Sequence, residues 1–312
     1  MESVKLVLER AAILSRLSEI FDLPVQELSD VAGGLTAQTL SFRVGTQEYI
    51  LRITPASFEV SFRKEAFIFE HFASPSIPIP PIVSMGQLGD LSYTISQKMP
   101  GRGLQSFTKI EYEGLLPSLI QTLYAIHQSN VQRWHNFGWI GDDGQGMFPS
   151  WETFLIRIIE EERPDGFYGK WHSLFQTTFL ERDFYEQVYR RMLDLLKFCP
   201  QDRYLVHGEY GYNNVLAVDD QVTAVLDWTD AMYGDFVYDI AAMDFWLPET
   251  FDLPRLIYQY DTSQGMAIPH YQERIACYKC YGGLDALRFF AKTNNYEAYL
   301  STHKILQDVL SA

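Results

Sequence analysis

Residues 206–228 read VHGEYGYNNVLAVDDQVTAVLDW. Three side chains in this run have the types and spacing that phosphoryl chemistry uses. Glu209 follows a His-Gly pair, Asn214 comes five residues later, and Asp227 thirteen residues after that. Transfer of a phosphoryl group from a nucleotide needs a carboxylate beside the attacking hydroxyl. It also needs an amide and a carboxylate to hold Mg²⁺ on the phosphates.

Two strands must position the amide and the acid. Val215 to Val218 and Val222 to Leu226 are apolar, partly β-branched runs, with Asp219, Asp220 and Gln221 between them. That pattern predicts a hairpin. A turn centred on Asp220-Gln221 makes Asn214 and Asp227 directly opposed on one face, with Cβ atoms roughly 5 Å apart. A hard cation with oxygen ligands fits between them. A slip of one residue would send the two side chains to opposite faces. Any one of these residues alone suits an ordinary hairpin with polar ends. The combination H-G-E-x₄-N-x₁₂-D-W is far more specific.

The kinase catalytic loop has the same carboxylate-to-amide offset, H-R-D-x-x-x-x-N. The whole run resembles the aminoglycoside phosphotransferase family, whose signature is H-G-D-x₄-N followed by I-D-W or L-D-W. The continuation from Thr229 to Asp235, TDAMYGD, and Tyr238-Asp239-Ile240-Ala241 match as well. The wording is most like that of the hygromycin-type members, and weaker likeness runs from about residue 25 to about residue 250. The resemblance implies an α+β, protein-kinase-like two-lobe fold. Residues 1–100, with a leading helix, form the small β-rich nucleotide lobe, and residues 101–312 form the larger, mostly helical catalytic and substrate lobe. It implies an ATP-dependent O-phosphotransferase with Mg²⁺ as cofactor. The acceptor would be a hydroxyl of a hygromycin-like aminoglycoside or aminocyclitol.

The chain departs from the signature at one place. Glu209 stands where the family has Asp, which moves the acid by roughly 1.5 Å on a fixed backbone, one C–C bond. A misplacement of about 1 Å can cost around a hundredfold in rate. Two alternatives stay open, the second because of Glu209. One is a kinase of another small amino alcohol or natural product. The other is a catalytically weak, nucleotide-binding pseudokinase.

Further residues take roles by their position. Gly33, Gly34 and Thr36 lie between two strand patterns, where a tight turn brings N–H groups near phosphate oxygens. Arg52, in a strand pattern, stands where a kinase has its phosphate-contacting lysine, and Glu65 on the next helix is its ion-pair partner. Gln97 and Met99 flank the end of the strand before the Pro100-Gly101 break and complete the nucleotide set. Asp230, Asp244 and Trp246 are the acceptor residues, acids for ammonium groups and an aromatic for a sugar face. Asp235 and Asp239 are expected to brace or cap the loop. His127 and His207 are structural.

Composition agrees with this reading. The chain has 312 residues, 47% of them hydrophobic, enough for real cores. Its net charge of −15 argues against nucleic acid as a partner and suits a cationic small molecule. Three cysteines are too few for a disulfide framework, and Cys277 and Cys280 fall on one face of a predicted helix. There is no basic region followed by an apolar core at the start and no apolar run of about 18 residues. A cytoplasmic protein with no membrane partner is the expectation. Helix is predicted over 3–22 and 62–72, strands over 31–44, 47–54 and 91–98, and mainly helix after residue 108.

Overall fold

Helices and antiparallel sheets alternate along the chain. The computed structural model describes residues 8–31, 37–162, 166–211, 213–246 and 252–311. Helix α1 (Arg10–Ile20) precedes strands β1 (Val25–Asp30), β2 (Gln38–Val44) and β3 (Gln47–Pro55). Helix α2 (Glu59–Phe72) leads to β4 (Ile82–Leu88), β5 (Leu91–Gln97) and the two-residue β6 (Arg102–Gly103). Next come α3 (Lys109–His127), β7 (Phe137–Ile140), β8 (Gly146–Phe148), α4 (Trp151–Ile156), α5 (Leu174–Thr177) and α6 (Arg182–Leu195). Strands β9 (Tyr204–Val206), β10 (Val215–Val218), β11 (Gln221–Val225) and β12 (Met232–Gly234) follow. Helices α7 (Val237–Trp246), α8 (Leu253–Ser263), α9 (Tyr271–Lys292) and α10 (Tyr296–Ser311) complete the order. Among the described residues no helix is long and apolar enough to cross a membrane.

The contacts form two compact units. The first is Met1–Thr122 with Gly141–Gly144 and Asn213–Thr229; the second is Leu123–Ile140, Gln145–Tyr212 and Asp230–Ala312. A single boundary near residue 100 was the expectation from sequence. By contacts the first unit runs on to Thr122 and takes in the β10–β11 hairpin, whose β10 pairs with β6.

The core of the first unit is built by strand alternation. Its five-stranded sheet has the order β1-β2-β3-β5-β4, antiparallel throughout. Leu40, Leu51 and Ile95 lie in register across three strands, all buried. Leu17 and Ile13 of α1 pack on the same cluster. Burying such side chains contributes roughly 1.5–3 kcal/mol each. The β2–β3 turn falls at Gly45-Thr46 as predicted, with Gly45 at φ +60°. Strands β1 and β4 were not foreseen. In β1 a register shift between Gln26 and Ser29 breaks the period, and Glu27 has a left-handed φ of +56°.

The second unit is organised around α9, against which α6, α7 and α10 pack. Gly283 lets α10 come close, since a Cβ there would collide with Leu306. Cys277 and Cys280 lie buried on this helix, both as free thiols. A four-stranded sheet of order β8-β7-β12-β9 was missed from sequence, because strands of three or four residues are too short to display a period.

Asp261 on α8 is 2% exposed, and its Oδ2 finds no hydrogen-bond partner among the described residues. Burial pushes its pKa up to about 6, and the attraction of His127 offsets this only in part. In an unfolded chain the group titrates near 4. The fold therefore disfavours the ionised form. The penalty is absent below about pH 4, grows between about pH 4 and pH 6, and is complete above that. Asp261→Asn is expected to raise the melting temperature by several degrees at pH 7.5 and to leave it nearly unchanged at pH 4. An equal shift at both pH values in thermal denaturation would refute the assignment.

Candidate active site

The hairpin that carries Asn214 and Asp227 differs in register from the expectation. Val218 pairs with Gln221, so the turn is Asp219-Asp220 and not Asp220-Gln221. Asp219 takes a left-handed φ of +52° to make it. The pairing then shifts between Leu216 and Ala217, and Thr223 is the extra residue of a bulge. Its Oγ1 donates to the carbonyl of Pro100 at 2.5 Å. Beyond the bulge Val215 pairs with Val225, and Leu226 N donates to the carbonyl of Asn214 at 2.7 Å. Asn214 is thus opposite Leu226, one residue short of Asp227.

Strand alternation ends before it could misdirect the acid. Asp227 lies past the last strand residue and has a φ of +56°. For a non-glycine residue that conformation costs on the order of 1–3 kcal/mol and persists only where neighbours enforce it. Trp228, 1% exposed, anchors the next position by donating Nε1 to Val225 O at 3.1 Å. Thr229 is held from α2: Lys64 Nζ donates to its carbonyl at 2.5 Å, and its Oγ1 donates to Glu65 Oε1 at 3.4 Å. Asp227 is exposed and Asn214 half-buried.

Arg52 and Glu65 meet as expected. The guanidinium engages both carboxylate oxygens, with Nη1 to Oε1 at 3.0 Å. A fork of this kind is the strong form of the Arg–carboxylate pair. Burial disfavours the charged guanidinium, but Glu65 and, less strongly, Asp227 hold its pKa above the usual value. Gln97 ends β5 opposite Tyr49 and donates its N–H to Pro81 at 2.9 Å. Met99 follows it, half-buried. Gly33, Gly34 and Thr36 lie outside the described residues.

In the second unit the loop bearing Glu209 is built around one acid. Asp239, with no solvent exposure, accepts from His207 N at 2.9 Å and from Gly208 N at 2.8 Å. His127 Nε2 donates to the same carboxylate at 3.0 Å. Gly208 has φ +90°, and a Cβ there would lie 2.6 Å from Asp230 O. Glu209 N donates to His207 Nδ1 at 3.2 Å, and its residue is exposed. Asp235 is equally buried. It accepts from Val237 N at 3.1 Å, from the Arg274 fork and from the Tyr278 hydroxyl. Both acids are the braces predicted from the sequence.

Glu209, Asp230 and Trp246 line one cavity of about 130 Å³, together with Trp139, Tyr281 and Asp285. Asp244 lines a different cavity, of about 1260 Å³, and is ion-paired with Lys279; Trp246 borders both. Sequence reasoning passed over Asp285 and Tyr281. Tyr278, Tyr281 and Asp285 repeat at helical spacing on α9, so an acid on an aromatic helix face was the available signal. Lys64 was also passed over. It shares a stripe with Ile68 and Phe72, four and eight residues on, and a lysine in a buried stripe stands out.

A profile described as "Phosphotransferase enzyme family" matches residues 27–274. The hygromycin-B 4-O-kinase of Escherichia coli is 31% identical over 236 residues, which cover 74% of this chain and 65% of that protein. The chain thus spans just under two thirds of that relative's length. The crystal structure of aminoglycoside phosphotransferase APH(4)-Ia superposes with a TM-score of 0.82 at 26% identity, over 97% of this chain and 99% of that one. A thermostable mutant of that enzyme, in ternary complex with AMP-PNP and hygromycin B, gives 0.81 at 26% identity, over 96% and 98%. The fold is therefore α+β and protein-kinase-like, as the sequence led us to expect.

Removing the Asp239 carboxylate strands two backbone N–H groups and an imidazole in a closed site. Asp239→Ala is expected to cost about 3 kcal/mol or more in stability, measured by urea denaturation. A loss below about 1 kcal/mol would mean that the loop does not depend on this acid.

Proposed function

The chain belongs to the Phosphotransferase enzyme family, and from that premise we propose that it moves the γ-phosphate of ATP to a hydroxyl of a hygromycin-like aminoglycoside or aminocyclitol. The observation that carries this reading is the cavity at Glu209. Its acids, Asp230 and Asp285, suit ammonium groups, and Trp139, Tyr281 and Trp246 suit sugar faces. The net charge of −15 raises the local concentration of a polycation. The identity with a hygromycin-B 4-O-kinase supports the same acceptor class.

Each residue has a part. Asn214 and Asp227 offer hard oxygen donors, which fit Mg²⁺; the ion tolerates few protein ligands and keeps water and phosphate oxygens. A Mg²⁺ ion held by these two residues would supply neutralisation of charge on the triphosphate. Arg52 uses two of its five N–H groups on Glu65 and keeps the rest for phosphate oxygens. Glu65 limits the rotamers of that guanidinium. Gln97 and Met99 take the base side of the nucleotide, and Gly33, Gly34 and Thr36 its phosphates. Glu209 accepts the proton of the acceptor hydroxyl as the new O–P bond forms and the bond to ADP breaks. The transition state is loose, so Glu209 acts late and mainly by orientation. Asp230 and Trp246 orient the acceptor. Asp244, held by Lys279, contributes from the neighbouring cavity. In the second reading, the longer Glu209 leaves a protein that binds nucleotide and transfers slowly.

Thermal-shift titration with ATP, with and without Mg²⁺, followed by transfer to an aminoglycoside panel including hygromycin B, separates the two. Stabilisation by Mg-ATP without transfer to any acceptor would favour the second. Glu209→Gln should lower the turnover at least about a hundredfold, whereas Glu209→Asp should keep or raise it. Equal turnover in the Gln variant would remove Glu209 from the mechanism. Asp227→Ala should abolish the Mg²⁺-dependent part of nucleotide binding.

A further inference from the structure

We infer that Lys64 is a positioning residue that holds Asp227 in its metal-binding posture, acting through the backbone of Thr229. The inference rests on the proposed role of Asp227. Lys64 is 6% exposed although it lies on a helix with charged neighbours on its open face. Lysine is almost never buried to that extent without a dedicated acceptor. Lys64 donates to the carbonyl of Thr229, 165 positions away in sequence, at 2.5 Å. That carbonyl is two residues past Asp227, the residue whose φ of +56° needs outside enforcement.

The neighbouring contacts make this a clamp. Glu65, the next residue of α2, receives the Thr229 hydroxyl and the Arg52 fork. Trp228 is pinned from the other side by its bond to Val225 O. One turn of α2 therefore sets both the phosphate-binding guanidinium and the chain just after the acid. Glu65 alone does not suffice, since its contact with Thr229 is a 3.4 Å bond to a rotatable hydroxyl. The Lys64 bond is short, charge-assisted and directed at the main chain, and main-chain position is what fixes φ at Asp227. Without it, Asp227 relaxes towards ordinary backbone angles and its carboxylate leaves the metal position.

The test is nucleotide affinity as a function of Mg²⁺ in the full chain. Lys64→Met keeps an unbranched side chain, one atom shorter, and removes the donor and the charge. An apolar side chain in place of a buried charge is often tolerated in folding. The variant is expected to bind ATP in EDTA as the parent does and to lose about tenfold of the affinity that Mg²⁺ adds. Lys64→Arg, which restores a cationic donor, should recover part of the gain. If Lys64→Met melts too low to assay, Lys64→Gln, uncharged and equally one atom short of the Thr229 carbonyl, should show the same loss. An unchanged Mg²⁺ gain in the folded Met or Gln variant overturns the inference. So does an equal loss with and without Mg²⁺, which a merely structural role would give. The parent reading fails separately: if Asp227→Ala retains the full Mg²⁺ gain, Asp227 is not a metal ligand.

Discussion

The carboxylate of Asp239 accepts hydrogen bonds from His207 N, Gly208 N and His127 Nε2 in a site closed to solvent. A buried carboxylate is tolerable only when its oxygens are met by donors, and here two of the donors are backbone. The consequence runs outward. With His207 and Gly208 fixed, Gly208 can adopt φ +90° only because it lacks a Cβ, and the next residue, Glu209, is turned out to solvent. The geometry of the exposed acid is thus set by a charge that never sees water. Asp235 repeats the device with the Arg274 fork and Tyr278 as donors, and Tyr278 in turn accepts from Trp151 Nε1 at 3.0 Å.

The first unit solves the matching problem by strain. Asn214 is placed by the ladder, through the Leu226 bond, whereas Asp227 is placed by a left-handed backbone after the ladder has ended. Stored strain of this kind needs restraints on both sides. Trp228 supplies one and α2 supplies the other. The same helix carries Glu65, so the electrostatics around Arg52 and the posture of Asp227 share one support.

Charges elsewhere are sorted by the same logic. Asp244 and Lys279 form an ion pair beside the larger cavity, and Asp230 and Glu209 line the smaller one. Unlike these, Asp261 is buried with an oxygen that no described donor meets, and burial raises its pKa so that the fold favours its protonated form.

Much of the protein was legible in its residues. The H-G-E-x₄-N-x₁₂-D-W run, the Gly45-Thr46 turn and the apolar alternation of β2, β3 and β5 are local patterns, and local patterns survive folding. So do the likeness to phosphotransferases and the pairing of Arg52 with Glu65. Other features depended on contacts distant in sequence. The turn at Asp219-Asp220 and the bulge at Thr223 answer to Pro100, far upstream. The hairpin's return to the first unit answers to β6, and the burial of Lys64 answers to Thr229. The separation of Asp244 from Glu209 follows from how α7 packs on α9. The sequence alone determined which chemical groups are present and which short elements carry them. Only the tertiary structure decided their register, their backbone strain and their partners, because those are set by hydrogen bonds between residues that no local spacing relates.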